Sequence, residues 1–223
     1  MAWDFSTDPE FQEKLDWMDE FVRDEVEPLD LLWGGRAFHP LDDRLRKIVD
    51  PLKSEVRRRG LWACHLGPEL GGAGYGQVKL SLMNEILGRS SWAPVIFGTQ
   101  APDTGNAEII AHYGTEEQKQ RYLKPLLDGE IFSSYSMTEP QGGSDPTRFV
   151  TRAWRDGDEW VIDGWKFFSS NARTSSFLIV MAVTNPDVSA YKGMSMFLVP
   201  TDTPGVNIVR NIGLMGESLH LPE

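Results

Sequence analysis

At Gly129 the hydrophobic rhythm of this 223-residue chain changes. Before it, Phe11, Leu15, Met18, Val22 and Val26 recur at three- and four-residue intervals, the spacing of one face of an α-helix. After it, short runs rich in β-branched and aromatic residues alternate with turn residues. Val150 to Trp154 and Trp160 to Ile162 flank Asp156-Gly157, which reads as a hairpin. Phe177 to Val183, Met194 to Val199 and Val206 to Arg210 read as further strands between Asn-Pro, Lys-Gly and Thr-Pro-Gly breaks. Helices and strands are segregated rather than interleaved, which argues against a doubly wound sheet. The expected class is α+β: an all-helical domain over 1–130, then an antiparallel, barrel-like β domain over 131–223.

Within the helical part, Thr7 or Asp8 can cap a first helix, with Pro9 in its first turn. Pro28 is expected to end it. Leu41, Leu45, Ile48 and Val49 predict a short helix that Asp50-Pro51 stops, followed by another carrying Leu52 and Val56. Its last turn, Arg57-Arg58-Arg59, complements the helix dipole, and Gly60 suits the position just past the end. The run Gly71-Gly72-Ala73-Gly74-Tyr75-Gly76 precedes a helix but is not a phosphate loop. It lacks the Lys-Ser/Thr pair, and Gln77 stands where a third dinucleotide glycine would fall. One helical region is expected from about Pro94 to Tyr113, and Thr115-Glu116-Glu117-Gln118 is a capping box.

A net charge of −11 argues against a nucleic-acid binder, which would normally show a basic face. One cysteine, Cys64, leaves no internal disulfide or cysteine-rich metal site and suits a reducing cytoplasm. His39, His65, His112 and His220 lack ligand spacing, so no metal is expected. No apolar run approaches the ~20 residues of a membrane span. Met1 to Phe5 have no basic region leading into an apolar one, so no secretory leader is read.

Two segments carry chemistry. Tyr135-Ser136-Met137-Thr138-Glu139-Pro140-Gln141-Gly142-Gly143-Ser144-Asp145 begins as a strand and breaks into glycines that let backbone approach a flat ligand. Trp165-Lys166-Phe167-Phe168-Ser169-Ser170-Asn171 offers an aromatic face, then hydroxyls and an amide. Each alone is also how an ordinary turn is written. In this order and spacing they resemble the two signatures of the acyl-CoA dehydrogenase family, the second being its Gly-x-Lys-x-Trp-Ile-Thr-Asn. Leu61-Trp62 through Pro68-Glu69-Leu70-Gly71-Gly72 to Asn84-Glu85-Ile86-Leu87-Gly88-Arg89 also looks like the family's N-terminal domain.

The resemblance implies flavin adenine dinucleotide (FAD) against the β domain. It also implies α,β-dehydrogenation of an acyl-CoA thioester, with hydride passing to the flavin. Tyr135, Met137, Thr138, Gly143, Ser144, Phe168, Ser169 and Ser170 would line the cofactor, and Ser144 and Thr104 the acyl-CoA. An electron-transfer flavoprotein and a homo-oligomer are the implied partners. Ser136, Gln141 and Arg148 depart from the family's usual residues, and Phe168-Ser169-Ser170 replaces Trp-Ile-Thr. These choices, with Ala101 to Asn106, resemble the branch of human family members ten and eleven and bacterial relatives. The family's third, helical domain supplies its glutamate base, and no residue here matches that base, so none is assigned. Glu139 is not the family's proton abstractor. Two alternatives stay open: a non-catalytic fragment or partner of a full-length homologue, and a flavin oxidase or monooxygenase on the same fold.

Overall fold

The computed structural model describes residues 5–214 and 217–222, so residues 1–4, read above for a leader, and Glu223 lie outside it. The chain forms two compact units, 1–104 and 105–223. In the first, helix α1 (Pro9–Phe21) starts where the Asp8 carboxylate accepts the Phe11 N–H at 2.9 Å. Its apolar stripe runs on through a π-helical stretch, Val22–Val26, into α2 (Glu27–Trp33). Pro28 therefore does not end the helix as expected. The wider π turn resets the ladder just ahead of it, so Pro28 falls in a first turn, where its missing N–H costs nothing.

Helix α3 (Asp43–Arg58) likewise runs unbroken through Pro51, correcting the expected stop at Asp50-Pro51. Leu45, Val49 and Val56 lie buried on one face, so the stripe on both sides of the proline is held by packing. The end of α3 carries Arg58 and Arg59 on Glu55, while Arg57 lies 3.7 Å from the centre of the Trp62 ring. Helices α4 (Gly76–Leu87) and α5 (Ala93–Phe97) complete the unit. The single helix expected from Pro94 to Tyr113 is broken after Phe97, where Gly98 turns left-handed at φ 66°. Met18, Val22, Val49, Met83, Trp92, Ile96 and Phe97 are among the buried core, each contributing about 1.5–3 kcal/mol by removal from water. Among the described residues no helix is long and apolar enough to cross a membrane.

The second unit opens with α6 (Asp103–Tyr113), whose first residues straddle the division. Then come α7 (Glu116–Gln118), opened by the Thr115–Gln118 capping box, a π-helical stretch, Lys119–Leu123, and α8 (Lys124–Leu127). Ala107, Ile110, Tyr122 and Leu126 of these helices pack on Phe177 and Ile179 of the sheet. Packing thus groups α6 to α8 with the strands, so the compact units divide at Thr104/Gly105 while the change of hydrophobic period falls at Gly129.

The strands are β1 (Ser133–Ser136), β2 (Arg152–Asp156), β3 (Glu159–Asp163), β4 (Phe177–Val183) and β5 (Met194–Pro200), with β6 (Asn211–Leu214) and β7 (Glu217–Pro222) forming a separate pair. The helix-then-sheet layout is as expected. The sheet is mixed and open rather than an antiparallel barrel. β4 is its axis: β5 pairs antiparallel along one edge, and β1 pairs parallel along the first half of the other. β2 joins that same edge only at Arg152↔Val183 and forms a hairpin with β3. The stretch Val206 to Arg210 is irregular instead of a strand; Val206 and Ile208 cover Leu178 and Val180.

Candidate functional site

The gap between β1 and β2 along the edge of β4 sets the site. β1 leaves that edge after Ser136, and the chain returns where the Thr151 carbonyl accepts the Val183 N–H at 2.8 Å. Residues 137–150 are therefore free of the ladder. Glu139 and Gly142 exchange two backbone hydrogen bonds, 2.9 and 3.0 Å, around Pro140-Gln141. The Asp145 carboxylate accepts the Thr147 N–H at 3.0 Å and starts the short turn Pro146–Arg148. Gly143 lies so close to Thr138 that a β-carbon there would sit 3.2 Å from Thr138 Cγ2.

The second segment runs alongside the first and is laced to it. Lys166 Nζ donates to the Met137 carbonyl at 2.9 Å, and the Phe167 N–H donates to the Thr138 carbonyl at 2.8 Å. The Ser136 hydroxyl donates to the Ser169 hydroxyl at 2.9 Å. Between the last two contacts, Phe168 adopts φ 57°, and Asn171 follows at φ 64°. Left-handed backbone is costly for a bulky aromatic residue and persists only where neighbours enforce it. Its effect is to lift the Phe168 ring outward, 44% exposed, edge-on to Phe167 at a centroid distance of 4.3 Å.

The sequence-expected residues do not all share one surface. Met137, Thr138, Gly143 and Ser170 are half-buried, and Ser144 is exposed. Together with Phe168 they belong to the laced pair of segments. Ser169 is buried, its hydroxyl on Ser136. Tyr135 pairs with Ile179 and faces the helices, its hydroxyl 3.8 Å from Met196 Sδ. Thr104 closes the first unit, its N–H bonded to the Gln100 carbonyl at 3.1 Å.

Sequence reasoning missed what joins the segments underneath. Glu139 and Lys166 form an ion pair at 2.8 Å with side chains 1% and 10% exposed. Burial would raise the carboxyl's pKa. Lys166 and the N–H groups of Val150 and Thr151 outweigh that and hold it at about 2. The signal was present in the motifs themselves, as the glutamate of Thr-Glu-Pro and the lysine of Gly-Trp-Lys.

Profiles of two domains match this chain: "Acyl-CoA dehydrogenase, N-terminal domain" over residues 8–130, and "Acyl-CoA dehydrogenase, middle domain" over 134–220. The chain belongs to the acyl-CoA dehydrogenase family. It is 43% identical to "Probable acyl-CoA dehydrogenase FadE2" of Mycobacterium tuberculosis, over 81% of this chain and 45% of that protein. It is 40% identical to "Acyl-CoA dehydrogenase family member 11" of Rattus norvegicus, over 80% of this chain and 22% of that one. A solved Mycobacterium abscessus structure carrying the acyl-CoA dehydrogenase name superposes with a TM-score of 0.79 at 37% identity, covering 95% of this chain and 55% of the other. Glutaryl-CoA dehydrogenase of Mycobacterium smegmatis in complex with FADH2 superposes with a TM-score of 0.68 at 26% identity, covering 97% and 52%. The chain thus spans about half or less of the length of these family members.

Proposed function

We propose that this chain carries the flavin-facing and part of the acyl-facing surface of an acyl-CoA dehydrogenase acting on an acyl-CoA thioester. The observation that carries the reading is Phe168. A bulky ring held in left-handed backbone and left 44% exposed is the arrangement expected of a platform awaiting a flat partner. Gly143 supports it, because any side chain there would crowd Thr138 and fill the space beside it.

FAD is the flat partner named by the relative bound to its reduced form. When bound, the flavin supplies the two-electron acceptor for oxidation of the thioester's α,β-bond. Phe168 would pack on the ring, Thr138 and Ser170 would hydrogen-bond its polar edge, and Met137 would border it. Tyr135, which faces the helices, would support the segment from behind. Ser169 supports Ser136 from below, while Gly143 and Ser144 bring backbone to cofactor and thioester. In this division 1–130 is the helical domain, with Thr104 toward the acyl chain, and 131–223 the flavin domain. The resemblance puts the proton-abstracting base in the family's third, helical domain, so no residue among 1–223 is assigned that role. An electron-transfer flavoprotein takes the electrons, in an oligomer. The buried, free Cys64 suits a reducing cytoplasm.

The test is the visible spectrum of the purified chain titrated with FAD. Bound flavin bleached by an acyl-CoA on adding the rest of a full-length relative supports the reading. Colourless protein that captures a full-length relative makes it a non-catalytic partner. Flavin reduced only by non-thioester compounds makes it an oxidase or monooxygenase.

A further inference from the structure

The Glu139–Lys166 pair has no part among the flavin-facing side chains, yet it is hydrogen-bonded on every side that the two segments offer. The carboxylate accepts from Lys166 Nζ at 2.8 Å and the Thr151 N–H at 3.0 Å on one oxygen. On the other it accepts from the Val150 N–H at 2.7 Å and Gln141 Nε2 at 2.5 Å. Lys166 spends a second donor on the Met137 carbonyl at 2.9 Å, with the Phe149 ring centre 4.8 Å from its nitrogen. Two buried charges stabilise a fold less well than apolar groups of the same volume. Stability alone therefore does not account for the pair. What it adds is direction.

The direction follows from the peptide plane. The Met137 carbonyl and the Thr138 N–H belong to one trans amide, so they point opposite ways. Lys166, beneath the segment, draws that carbonyl inward and turns the Thr138 N–H outward. Among the described residues this N–H has no acceptor in the chain. The next carbonyl, that of Thr138, is taken by the Phe167 N–H at 2.8 Å, so the backbone either side of Thr138 is fixed. The same short stretch leads into the raised ring of Phe168. One side chain thereby couples an outward donor to the aromatic platform.

We infer that Lys166 is a positioning residue for the flavin: held by Glu139, it aims the Thr138 N–H at the acceptor edge of the ring that Phe168 packs against. This rests on the flavin reading above.

The experiment compares FAD binding by the intact chain, Lys166→Met, Lys166→Arg and the Glu139→Gln/Lys166→Met double variant. It follows flavin fluorescence and the visible band, with circular dichroism as the check on folding. The double variant leaves no unpaired buried charge, so it keeps the question open if Lys166→Met does not fold. Loss of the aimed donor should weaken FAD binding about tenfold in both methionine variants, the size of one hydrogen bond lost. It should also shift the bound-flavin band, while Lys166→Arg regains part of the affinity. A folded double variant that binds FAD within about twofold of the parent, with an unchanged band, overturns the inference alone. A parent chain that shows no flavin signal overturns the flavin reading itself, and the inference with it.

Discussion

The hydroxyls of Ser136 and Ser169 meet at 2.9 Å with both residues buried, one at the end of β1 and the other 33 positions along the chain. Each hydroxyl is the other's partner. A single truncation leaves one buried hydroxyl without its partner, at a cost of about 1–3 kcal/mol. Ser136→Ala and Ser169→Ala should each cost about that much, and the double variant no more than the worse single. Urea denaturation of the three variants checks this; additive losses would show that the hydroxyls do not depend on each other.

Acid should act through Glu139. Its folded pKa of about 2 lies below the ordinary 4.5, so its stabilisation is complete above pH 4.5 and is lost as pH falls toward 2. The loss amounts to about 3 kcal/mol. Glu139→Gln, which strands the Lys166 charge, should be less stable than the parent by about 3–5 kcal/mol at neutral pH. The gap should close through that acid window. Melting temperatures of both proteins across it decide the matter, and a gap independent of pH would refute the ion-pair account.

Phe168 gives a prediction in which stability and binding part company. Asparagine tolerates left-handed backbone, so Phe168→Asn relieves strain of about 1 kcal/mol or more while losing a ring contact of similar size. Stability should change by less than about 1 kcal/mol, whereas FAD affinity should fall roughly tenfold with the platform gone. Chemical denaturation and a flavin titration read the two separately. Equal losses in both would mean that the ring serves the fold alone.

Two glycines near the site should respond differently to alanine. At Gly164 a β-carbon would stand 2.3 Å from Thr151 Oγ1, and Thr151 is buried, so Gly164→Ala should cost about 1–3 kcal/mol. At Gly143 the nearest atom would be 3.2 Å away, and the fold should yield at less than about 1 kcal/mol. The methyl at Gly143 should instead weaken FAD binding. A Gly143→Ala protein that binds FAD normally would remove Gly143 from the site.

Local order carried much of this architecture. Gly157 sits at φ 61° in the two-residue turn Gly157-Asp158 between β2 and β3, where the Asp156-Gly157 pair placed a hairpin. Thr115 caps as its spacing required, because both partners lie within one helical turn. Pro28 and Pro51 misled for different reasons. The π turn puts Pro28 in a first turn, where its missing N–H costs nothing, whereas Pro51 lies inside α3 and is held there by packing. At Pro51 a single hydrogen bond is forbidden, and burial of the stripe Leu45, Val49 and Val56 outweighs that loss.

Residue order alone was enough to place the helical part before the sheet and to mark two segments whose spacing resembles a flavin-binding family. Periodicity and motif are properties of neighbours along the chain. Folding in space was needed to set β1 parallel to β4 across some forty positions, to open the gap at Ser136, and to put Lys166 beneath Met137. Partners that far apart leave no periodic trace, since a lysine in a loop reads the same whether it faces water or a buried carboxylate. The choice is made by burial, once packing has removed every other partner from reach.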